Sequence, residues 1–284
     1  MEALIQHLEK QLNEVITSYA PLQGGDINEA VCFHTKNGRY FLKCNSATAY
    51  PHMLQLEAAG LDALRDQSDL VVPRVINQGI AGNRQWLVLE WMEKKPETSD
   101  FLREFGRKLA RLHKCRQPFF GWHADNYIGS LKQLNTAHDS WAAFYADCRV
   151  LPLVRSLVNN GRFTQPDSRL ADRFCSRLGG LMPAEPPALL HGDLWSGNYM
   201  IVEKGVAVFD PAIYCGHREM DIGMTRLFGG FHDSFYTGYQ EIYPLENGWE
   251  QRLPITQLYP LLVHAVLFGG HYIDSCRQLL KKLA

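Results

Sequence analysis

Three polar residues in the C-terminal half are spaced so that together they could bind a metal ion and accept a proton. Asp193 lies in the stretch LLHGDLWSGNYMI (189–201), Asn198 follows it by five positions, and Asp210 ends the apolar run VAVF. Asp193 and Asn198 flank a loop between apolar runs, and Asp210 stands just before a proline. If these runs pair as strands of one small sheet, the three side chains converge at one end of it.

Such a convergence would suit phosphoryl transfer. The amide oxygen of Asn198 and the carboxylate of Asp210 are hard oxygen ligands, which Mg²⁺ binds together with water and substrate phosphates. The remaining carboxylate, Asp193, would be free to accept the proton of an attacking hydroxyl. Each residue alone is more simply explained as a turn or capping residue, so the prediction rests on the spacing of all three.

A phosphoryl-transfer site also needs a fixed cation, and the N-terminal third offers one. Lys43 ends the strand-like run YFLK, and Glu57 lies in the helical pattern that follows it. A strand lysine paired with a helix glutamate positions nucleotide phosphates in protein-kinase-like enzymes. Gly24 and Gly25, in GGDIN, would let backbone amides approach phosphate, although two-glycine turns are common. The sequence contains no GxxxxGK[ST] motif, which argues against a P-loop ATPase.

The apolar run LVLEWM (87–92) predicts a strand that leads directly into the polar linker EKKPETSD (93–100). In a two-lobed nucleotide-binding enzyme, backbone groups at this position form hydrogen bonds with adenine. We therefore expect Glu90, Trp91 and Met92 to border the nucleotide base. The same residues would also suit an ordinary strand, so only their position before the linker supports the prediction.

The elements that must position these residues change in type near residue 92. Before it, apolar spacing predicts an amphipathic helix over 3–16, about five strands, and a helix inserted over 52–66. KNGR (36–39) predicts a hairpin turn. We expect this strand-rich part, residues 1–92, to form an N-terminal lobe that binds nucleotide.

Helical patterns dominate the remainder, residues 93–284, which we expect to form a larger catalytic and acceptor-binding lobe. The only clear strand patterns in it are LLHGD, NYMIV and VAVFD. The chain as a whole is predicted to be a two-lobed α+β protein. The helical patterns cover 99–114, 139–158, 167–181 and most of 254–283.

Composition argues against several classes of function. The 284 residues contain 29 Lys and Arg against 30 Asp and Glu, so we expect no nucleic-acid partner. The N-terminus lacks the apolar core of a signal peptide, and the late run LYPLLVHAVLFGG is too short to span a bilayer, so we expect no membrane association. Seven scattered cysteines without a CxxC pair indicate neither a disulfide framework nor a zinc site, and they favour the reduced cytoplasm.

The motifs GGDIN, FLK, LEAAGL, LVLEW, FGWHADNYIG, LHGDLWSGN, VFDPA and GHREMDIGM occur in this order. Together they resemble the fructosamine kinase (ketosamine 3-kinase) family, which has the protein-kinase-like fold, and the resemblance covers roughly residues 20–275. Choline and aminoglycoside kinases share the HGD-x4-N frame, but their loops usually lack Trp-Ser-Gly. The resemblance implies ATP and Mg²⁺ as cofactors. It also implies phosphorylation of O3 of a ketosamine, either a small molecule or a glycated protein lysine, which leads to deglycation.

The resemblance assigns roles to the residues already singled out. Asp193 would be the catalytic base, Asn198 and Asp210 would bind Mg²⁺, and Lys43 with Glu57 would position ATP.

Further residues gain roles from the resemblance alone. Trp195 would stack on the acceptor sugar, and Asp125 and Asn126 would line the acceptor pocket. His191 stands where protein kinases have the histidine of HRD. Asp221 would brace the catalytic loop by accepting hydrogen bonds from backbone N–H groups.

Other functions remain open at this point. One is a kinase for a different small acceptor, such as an amino alcohol or an aminoglycoside. Another is a metal-dependent hydrolase that uses His191, Asp193 and Asp210 without ATP, although such an enzyme would need neither the Lys43–Glu57 pair nor a hinge-like strand. A catalytically inactive binding module is a third, but every expected polar residue is present. Only three residues separate DPA from GHRE, so no protein-kinase activation segment fits there and a small acceptor is favoured.

Overall fold

The N-terminal part is built on one antiparallel sheet. The computed structural model of the protein describes residues 1–22, 27–96 and 98–284. The sheet has five strands, as the sequence predicts: β1 (Ser18–Leu22), β2 (Glu29–Thr35), β3 (Gly38–Ser46), β4 (Val75–Ala81) and β5 (Arg84–Glu90). Their spatial order is β1-β2-β3-β5-β4, so β3, which carries the predicted lysine, lies in the centre.

Two helices accompany this sheet. The first, α1 (Glu2–Leu12), ends earlier than the predicted span 3–16, because Asn13 adopts a left-handed conformation with φ of 53°. The second, α2 (Met53–Gln67), is inserted between β3 and β4 as expected. It buries Leu54 and Leu61 in an apolar cluster that also contains residues of the C-terminal part.

The C-terminal part is mainly helical. The predicted helix 139–158 is divided by a π-helical turn (Tyr145–Val150), and the predicted helix 254–283 is divided at Gly269 and Gly270, which both have positive φ. No helix of the described residues is both long enough and apolar enough to cross a membrane. The α-helices are α3 (Ser99–Lys114), α4 (Trp141–Phe144), α5 (Leu151–Asn159), α6 (Gln165–Arg177), α7 (Glu219–Thr225), α8 (Asp233–Ile242), α9 (Trp249–Leu267) and α10 (His271–Leu283).

Three two-stranded sheets surround the predicted catalytic segment. The prediction that its flanking strands form one sheet is wrong: β9 pairs with β10, whereas β8 pairs with β11. The two-residue connection between β9 and β10 favours a local hairpin, and β11 is too short to give a strand pattern. The strands are β6 (Asn126–Ile128), β7 (Leu131–Gln133), β8 (Ala188–Leu190), β9 (Tyr199–Val202), β10 (Gly205–Val208) and β11 (Tyr214–Gly216).

This arrangement brings the ends of several elements together. The β8 strand leads into His191, the β10 strand leads into Asp210, and β11 begins only four residues after Asp210. Gly60 of α2 lies so close to the intervening segment that a Cβ there would contact Pro211 and Ile213 at 3.4–3.5 Å. Helix α2 of the N-terminal part therefore packs against the segment that follows Asp210. The division of the chain into lobes at residue 92, between β5 and α3, stays a prediction.

Candidate active site

The segment after β8 is held in place by a buried carboxylate. Asp221 in α7 accepts hydrogen bonds from the backbone N–H groups of His191 (2.8 Å) and Gly192 (2.9 Å). Burial alone would raise the pKa of Asp221, but hydrogen bonds and the charge of nearby groups, His113 first among them, lower it overall. The carboxylate is thus an anionic brace beneath the loop. This is the geometry that the sequence predicts for Asp221.

His191 ties the same loop to the end of β10. Its ring is buried, which lowers its pKa and keeps the imidazole neutral. Its Nδ1 accepts the N–H of Asp193 at 3.3 Å, so Nε2 carries the proton and donates it to the carbonyl of Phe209 at 3.0 Å. Both ring nitrogens are therefore occupied. This counts against a hydrolase in which His191 acts as a base or metal ligand.

A glycine is required between these two residues. Gly192 has φ of +82°, in the left-handed region. A Cβ at this position would also overlap the carbonyl oxygen of Ala212. The Gly in LHGD thus allows the loop to lie directly against the segment that follows Asp210.

Asp193 and Asn198 are joined within one closed loop. The Nδ2 of Asn198 donates to the backbone oxygen of Asp193 at 2.8 Å and to its Oδ2 at 3.0 Å. The backbone N–H of Asn198 donates to the carbonyl of Trp195, and its own carbonyl accepts the N–H of Phe209 at 3.1 Å. The five-residue spacing noticed in the sequence is therefore the span of this loop.

Asp193 is a carboxyl group whose proton affinity is strongly raised. The largest cause of the raised pKa is removal of the carboxyl group from water. The hydrogen bond from Asn198 lowers the pKa, whereas the negative charges of Asp210 and Asp221 raise it further. Together they raise the pKa from its ordinary value of 3.8 to about 7. A carboxylate with this pKa is well matched to accepting a proton near neutral pH.

This shift has a consequence for stability that thermal unfolding can measure. Between about pH 4 and pH 7 the folded protein holds a proton on Asp193 that the unfolded chain has lost, so the free energy of unfolding falls as the pH rises through that window. We expect Asp193→Asn to melt about 2–4 °C above wild type at pH 8, the shift that about 1 kcal/mol produces in a chain of this size range. The difference should shrink towards pH 5. Equal differences in melting temperature between Asp193→Asn and wild type at pH 5 and pH 8 would contradict the raised pKa of Asp193. Asp172→Asn, on an exposed face of α6, is the control variant.

Lys43 connects the central strand of the sheet to this region. Its buried Nζ lies 2.8 Å from Oε1 of Glu57 in α2 and also contacts Oδ1 of Asp210. Burial alone would lower the pKa of Lys43, but the two carboxylates outweigh it, so the pKa is raised and the ammonium stays charged. The predicted strand–helix pair is therefore present, and the contact with Asp210 adds a link to the C-terminal part that the sequence did not predict.

Asn198 and Asp210 have the chemistry of magnesium ligands. The amide nitrogen of Asn198 faces Asp193, which leaves the amide oxygen as its ligand atom. The side chain of Asp210 is 43% exposed, at the wall of a cleft. Within the described part of the chain, no group of three His, Cys, Asp or Glu residues could hold a metal. A site with two protein oxygens, completed by water and phosphate, fits Mg²⁺.

A cleft of about 560 Å³ lies between the sheet and this site. Glu90, Trp91 and Met92 line it, and their contact with a nucleotide base stays a prediction. The backbone N–H of Glu90 already donates to the carbonyl of Arg74, so it is not free to bind adenine. Gly24 and Gly25 lie outside the described residues. The other lining residues include Leu22, Phe41, Lys43, Leu89, Met200, Phe209 and Asp210.

Trp195 is 37% exposed, two positions beyond Asp193. Its ring lies so close to Gly197 that a Cβ there would overlap it, which explains the glycine in WSG. The ring of Phe228 meets Trp195 edge to face, with centroids 6.2 Å apart, and His264 packs against Phe228 at 4.8 Å. Phe228 lies in LFGGF, which has no distinctive spacing, so no sequence pattern predicted its contact with Trp195.

Asp125 and Asn126 are occupied by bonds inside the protein. Asp125 accepts the N–H of Asn135 at 2.9 Å and lies 3.5 Å from Lys132. Asn126 is buried, and its amide donates to the carbonyl of Ile213 at 2.8 Å. Their predicted role in lining the acceptor pocket therefore stays a prediction, without support from these contacts.

Comparison with known proteins finds relatives that match nearly the whole chain. The sequence model of the family described as "Fructosamine kinase" matches residues 1–284. A relative from Vibrio parahaemolyticus named "Probable ketoamine kinase" is 37% identical over 286 aligned positions, which cover 98% of each chain. An Oryza sativa subsp. indica protein named "Protein-ribulosamine 3-kinase, chloroplastic" is 34% identical over 272 positions, which cover 93% of this chain and 78% of that protein.

Solved structures share the fold. A "putative fructosamine-3-kinase" from Thermobifida fusca has a TM-score of 0.90 at 33% identity, covering 100% of this chain and 99% of that one. A thermostable mutant of an aminoglycoside phosphotransferase, solved with ADP and hygromycin B, has a TM-score of 0.66 and covers 99% of this chain and 97% of that one. At 13% identity this second likeness concerns the fold alone. The protein-kinase-like α+β fold predicted from the sequence is confirmed.

Proposed function

Because this chain belongs to the fructosamine kinase family and is an ATP-using phosphotransferase, we propose that it phosphorylates O3 of a ketosamine in the presence of Mg²⁺. The observation that carries the proposal is the arrangement around Asp193. A carboxylate with a pKa of about 7 lies in one loop with Asn198, and both adjoin the charged pair of Lys43 and Asp210.

The cleft beneath the sheet would hold ATP. The adenine base of ATP would lie against the segment from Glu90 to Met92, and the ammonium of Lys43 would meet the phosphates of ATP. Glu57 supports this role because it holds Lys43 at 2.8 Å from a helix packed on the sheet. Phosphoryl transfer passes through a loose transition state, so positioning and neutralisation of charge supply most of the catalysis.

Asn198 and Asp210 would hold the metal in this scheme. Bound Mg²⁺ would neutralise negative charge on the transferring phosphoryl group. Lys43, which contacts Asp210, would keep that carboxylate at the phosphate side of the cleft.

Asp193 would take the proton from the acceptor hydroxyl. Its raised pKa makes the carboxylate a stronger base than an exposed aspartate, and it remains largely ionised at slightly alkaline pH. Its backbone is fixed by the hydrogen bond to His191, and its side chain by the one from Asn198. The carboxylate would thus be held in one orientation towards the acceptor hydroxyl.

Trp195 would supply the surface for the acceptor. Its exposed ring, supported by Phe228, would stack on the sugar while Asp193 meets one hydroxyl. A short sugar, such as ribulose or erythrulose, is part of the proposal, and the name of the rice relative supports ribulosamines. The phosphate at O3 would then leave, the adduct would break down, and the free amine would be restored.

All seven cysteines are free thiols, which suits the reduced cytoplasm proposed from the sequence.

Trp195→Ala is expected to impair acceptor phosphorylation far more than background ATP hydrolysis, because only the acceptor would use the ring. Loss of orientation could remove part of the roughly 7–11 kcal/mol that positioning can supply at most, so we expect kcat/KM for the acceptor to fall about 10–100-fold. ATP consumption would be measured with ribulosyl-lysine, fructosyl-lysine, choline and kanamycin.

Trp195→Phe keeps an aromatic face and should recover part of the acceptor activity. Equal losses of both reactions in Trp195→Ala would contradict the stacking role. Good turnover of choline or kanamycin, with neither ketosamine used, would overturn the proposed substrate while leaving the kinase chemistry intact.

A further inference from the structure

Arg149, in the π-helical turn, is fully buried without a carboxylate beside it. Among the described residues, no ion pair involves its guanidinium. The guanidinium stacks on the ring of Tyr214 at 4.0 Å and donates to the carbonyls of Leu134 and Cys148 and to Oδ1 of Asn135 at 2.7 Å. A buried charge is costly unless hydrogen bonds satisfy it. Both Nη atoms of Arg149 donate, whereas its Nε has no hydrogen-bond partner among the described residues.

From Arg149 a chain of amides runs towards the catalytic segment. Asn135 donates from Nδ2 to Oδ1 of Asn126 at 3.0 Å, and Asn126 donates from Nδ2 to the carbonyl of Ile213 at 2.8 Å. Every donor points the same way, away from the guanidinium, so each bond polarises the next. The chain ends three residues after Asp210.

Gln133 adds a second branch from the same hairpin. Its Nε2 donates to Oδ1 of Asn126 at 2.8 Å and to the carbonyl of Ala212 at 3.0 Å. Its Oε1 accepts the hydroxyl of Tyr259 at 2.7 Å, which fixes the orientation of the amide. Two consecutive carbonyls, those of Ala212 and Ile213, are therefore held by the β6–β7 hairpin.

We infer that Arg149, Asn135, Asn126 and Gln133, here called the amide relay, position Asp210 as a metal ligand. The inference rests on the proposed metal-binding function of Asp210. The relay holds residues 212 and 213, and Pro211, whose φ is fixed by its ring, leaves little slack between them and Asp210. None of the four is among the described residues that line the cleft, so they are positioning residues.

The backbone of Asp210 shows why such support is needed. Its φ of 56° is in the left-handed region, which is uncommon for a non-glycine residue although Asp adopts it more readily than most, and which costs backbone energy that the surroundings must offset. On one side the N–H of Ala212 donates to the carbonyl of His191 at 2.9 Å. On the other side the relay holds the carbonyls of residues 212 and 213. The segment is thus fixed between the catalytic loop and the hairpin.

Asn126→Asp tests the inference, because it keeps the shape of the side chain and removes the single donor to Ile213. We expect the affinity for Mn²⁺ in the presence of ADP to fall about 10–100-fold, the usual loss when the support of a metal ligand is removed. Electron paramagnetic resonance titration of free Mn²⁺ measures this without turnover. ADP binding without metal, measured by calorimetry, should stay within about twofold of wild type.

Two control variants separate positioning from general stability. Tyr127→Phe removes a hydrogen bond of the same hairpin, to the carbonyl of Pro51, that does not reach the catalytic segment. Asp167→Asn weakens the buried cap of α6 and its bond to Arg277, and should cost stability without changing Mn²⁺ affinity. Gln133→Glu removes the amide donor to the carbonyl of Ala212. It provides the test of the relay if Asn126→Asp does not fold.

The outcomes distinguish the inference from the function on which it rests. Wild-type Mn²⁺ affinity in a folded Asn126→Asp or Gln133→Glu variant would overturn the relay, provided that Asp210→Ala abolishes binding. Wild-type affinity in Asp210→Ala itself would refute the proposed metal role instead. Weaker binding in the relay variants and in Asp210→Ala, but not in the controls, is the expected result.

Discussion

Asp193→Asn is expected to lower turnover of the acceptor by about 10²–10⁴-fold, the usual contribution of a general base. The amide has nearly the same shape and can still accept the hydrogen bond from Asn198, so the loop should stay folded. What it lacks is the basic oxygen that burial and two neighbouring carboxylates create. Steady-state kinetics with a ketosamine acceptor and saturating Mg·ATP measures the loss.

The affinity for ATP separates this effect from damage to the cleft. Asp193 is not among the residues that line the cleft, so calorimetric titration with ATP should give a value near wild type. Asp172→Asn, the same change of charge on α6, should leave both turnover and affinity unaltered. Turnover within a factor of a few of wild type would remove the assignment of Asp193 as the base.

The local part of this site could be predicted from the sequence because it is encoded by short spacing. The loop from Asp193 to Asn198 closes on itself, so its two functional residues appear five positions apart. Lys43 and Glu57 lie on consecutive elements, and strand and helix patterns placed them, whereas their pairing was predicted from the strand lysine and helix glutamate of protein-kinase-like enzymes. The brace at Asp221 came from a resemblance between motifs.

Other contacts depend on tertiary packing and leave no spacing pattern. Lys43 meets Asp210 across 167 residues, and Phe228 reaches Trp195 from a loop without periodicity. Asn126 was recognised as part of a motif, and its role at the acceptor stays a prediction, but its bond to the segment after Asp210 left no sequence pattern. A motif marks a residue as important but does not show which way its side chain points.

The same distinction explains the errors in the fold. Helix α7 was missed because all seven of its residues are buried, including the polar Glu219, Asp221 and Thr225, so its polar and apolar residues do not alternate between an exposed and a buried face. Helix α8 carries glycine and several aromatic residues, which weaken its pattern. The prediction of a single sheet failed because β11, the actual partner of β8, has only three residues.

Lys43→Met is expected to lower kcat/KM for Mg·ATP by about 10²–10³-fold, the loss typical when one preorganised electrostatic group is removed from a transition state. The methionine fills the space in β3 but carries no charge. It leaves the side chain of Glu57, only 12% exposed, without its cation. Removing one partner of a buried pair costs about 3–5 kcal/mol of stability, so folding must be verified by thermal unfolding at the assay temperature.

A double-mutant cycle with Glu57→Gln distinguishes a direct pair from two separate defects. Because the side-chain hydrogen bond that Glu57 makes among the described residues is the one to Lys43, removing Glu57 after Lys43 is already gone should cost little more. We expect a coupling free energy of about 0.5–3 kcal/mol, as for residues in contact. Arg65→Met, on the same helix but paired with Asp62, should be additive with Lys43→Met. Additive losses for Lys43→Met and Glu57→Gln would mean that the pair does not work as one unit in nucleotide binding. The reason to expect coupling is that Lys43 would meet phosphate, in the proposed function, from the position in which Glu57 and Asp210 hold its ammonium.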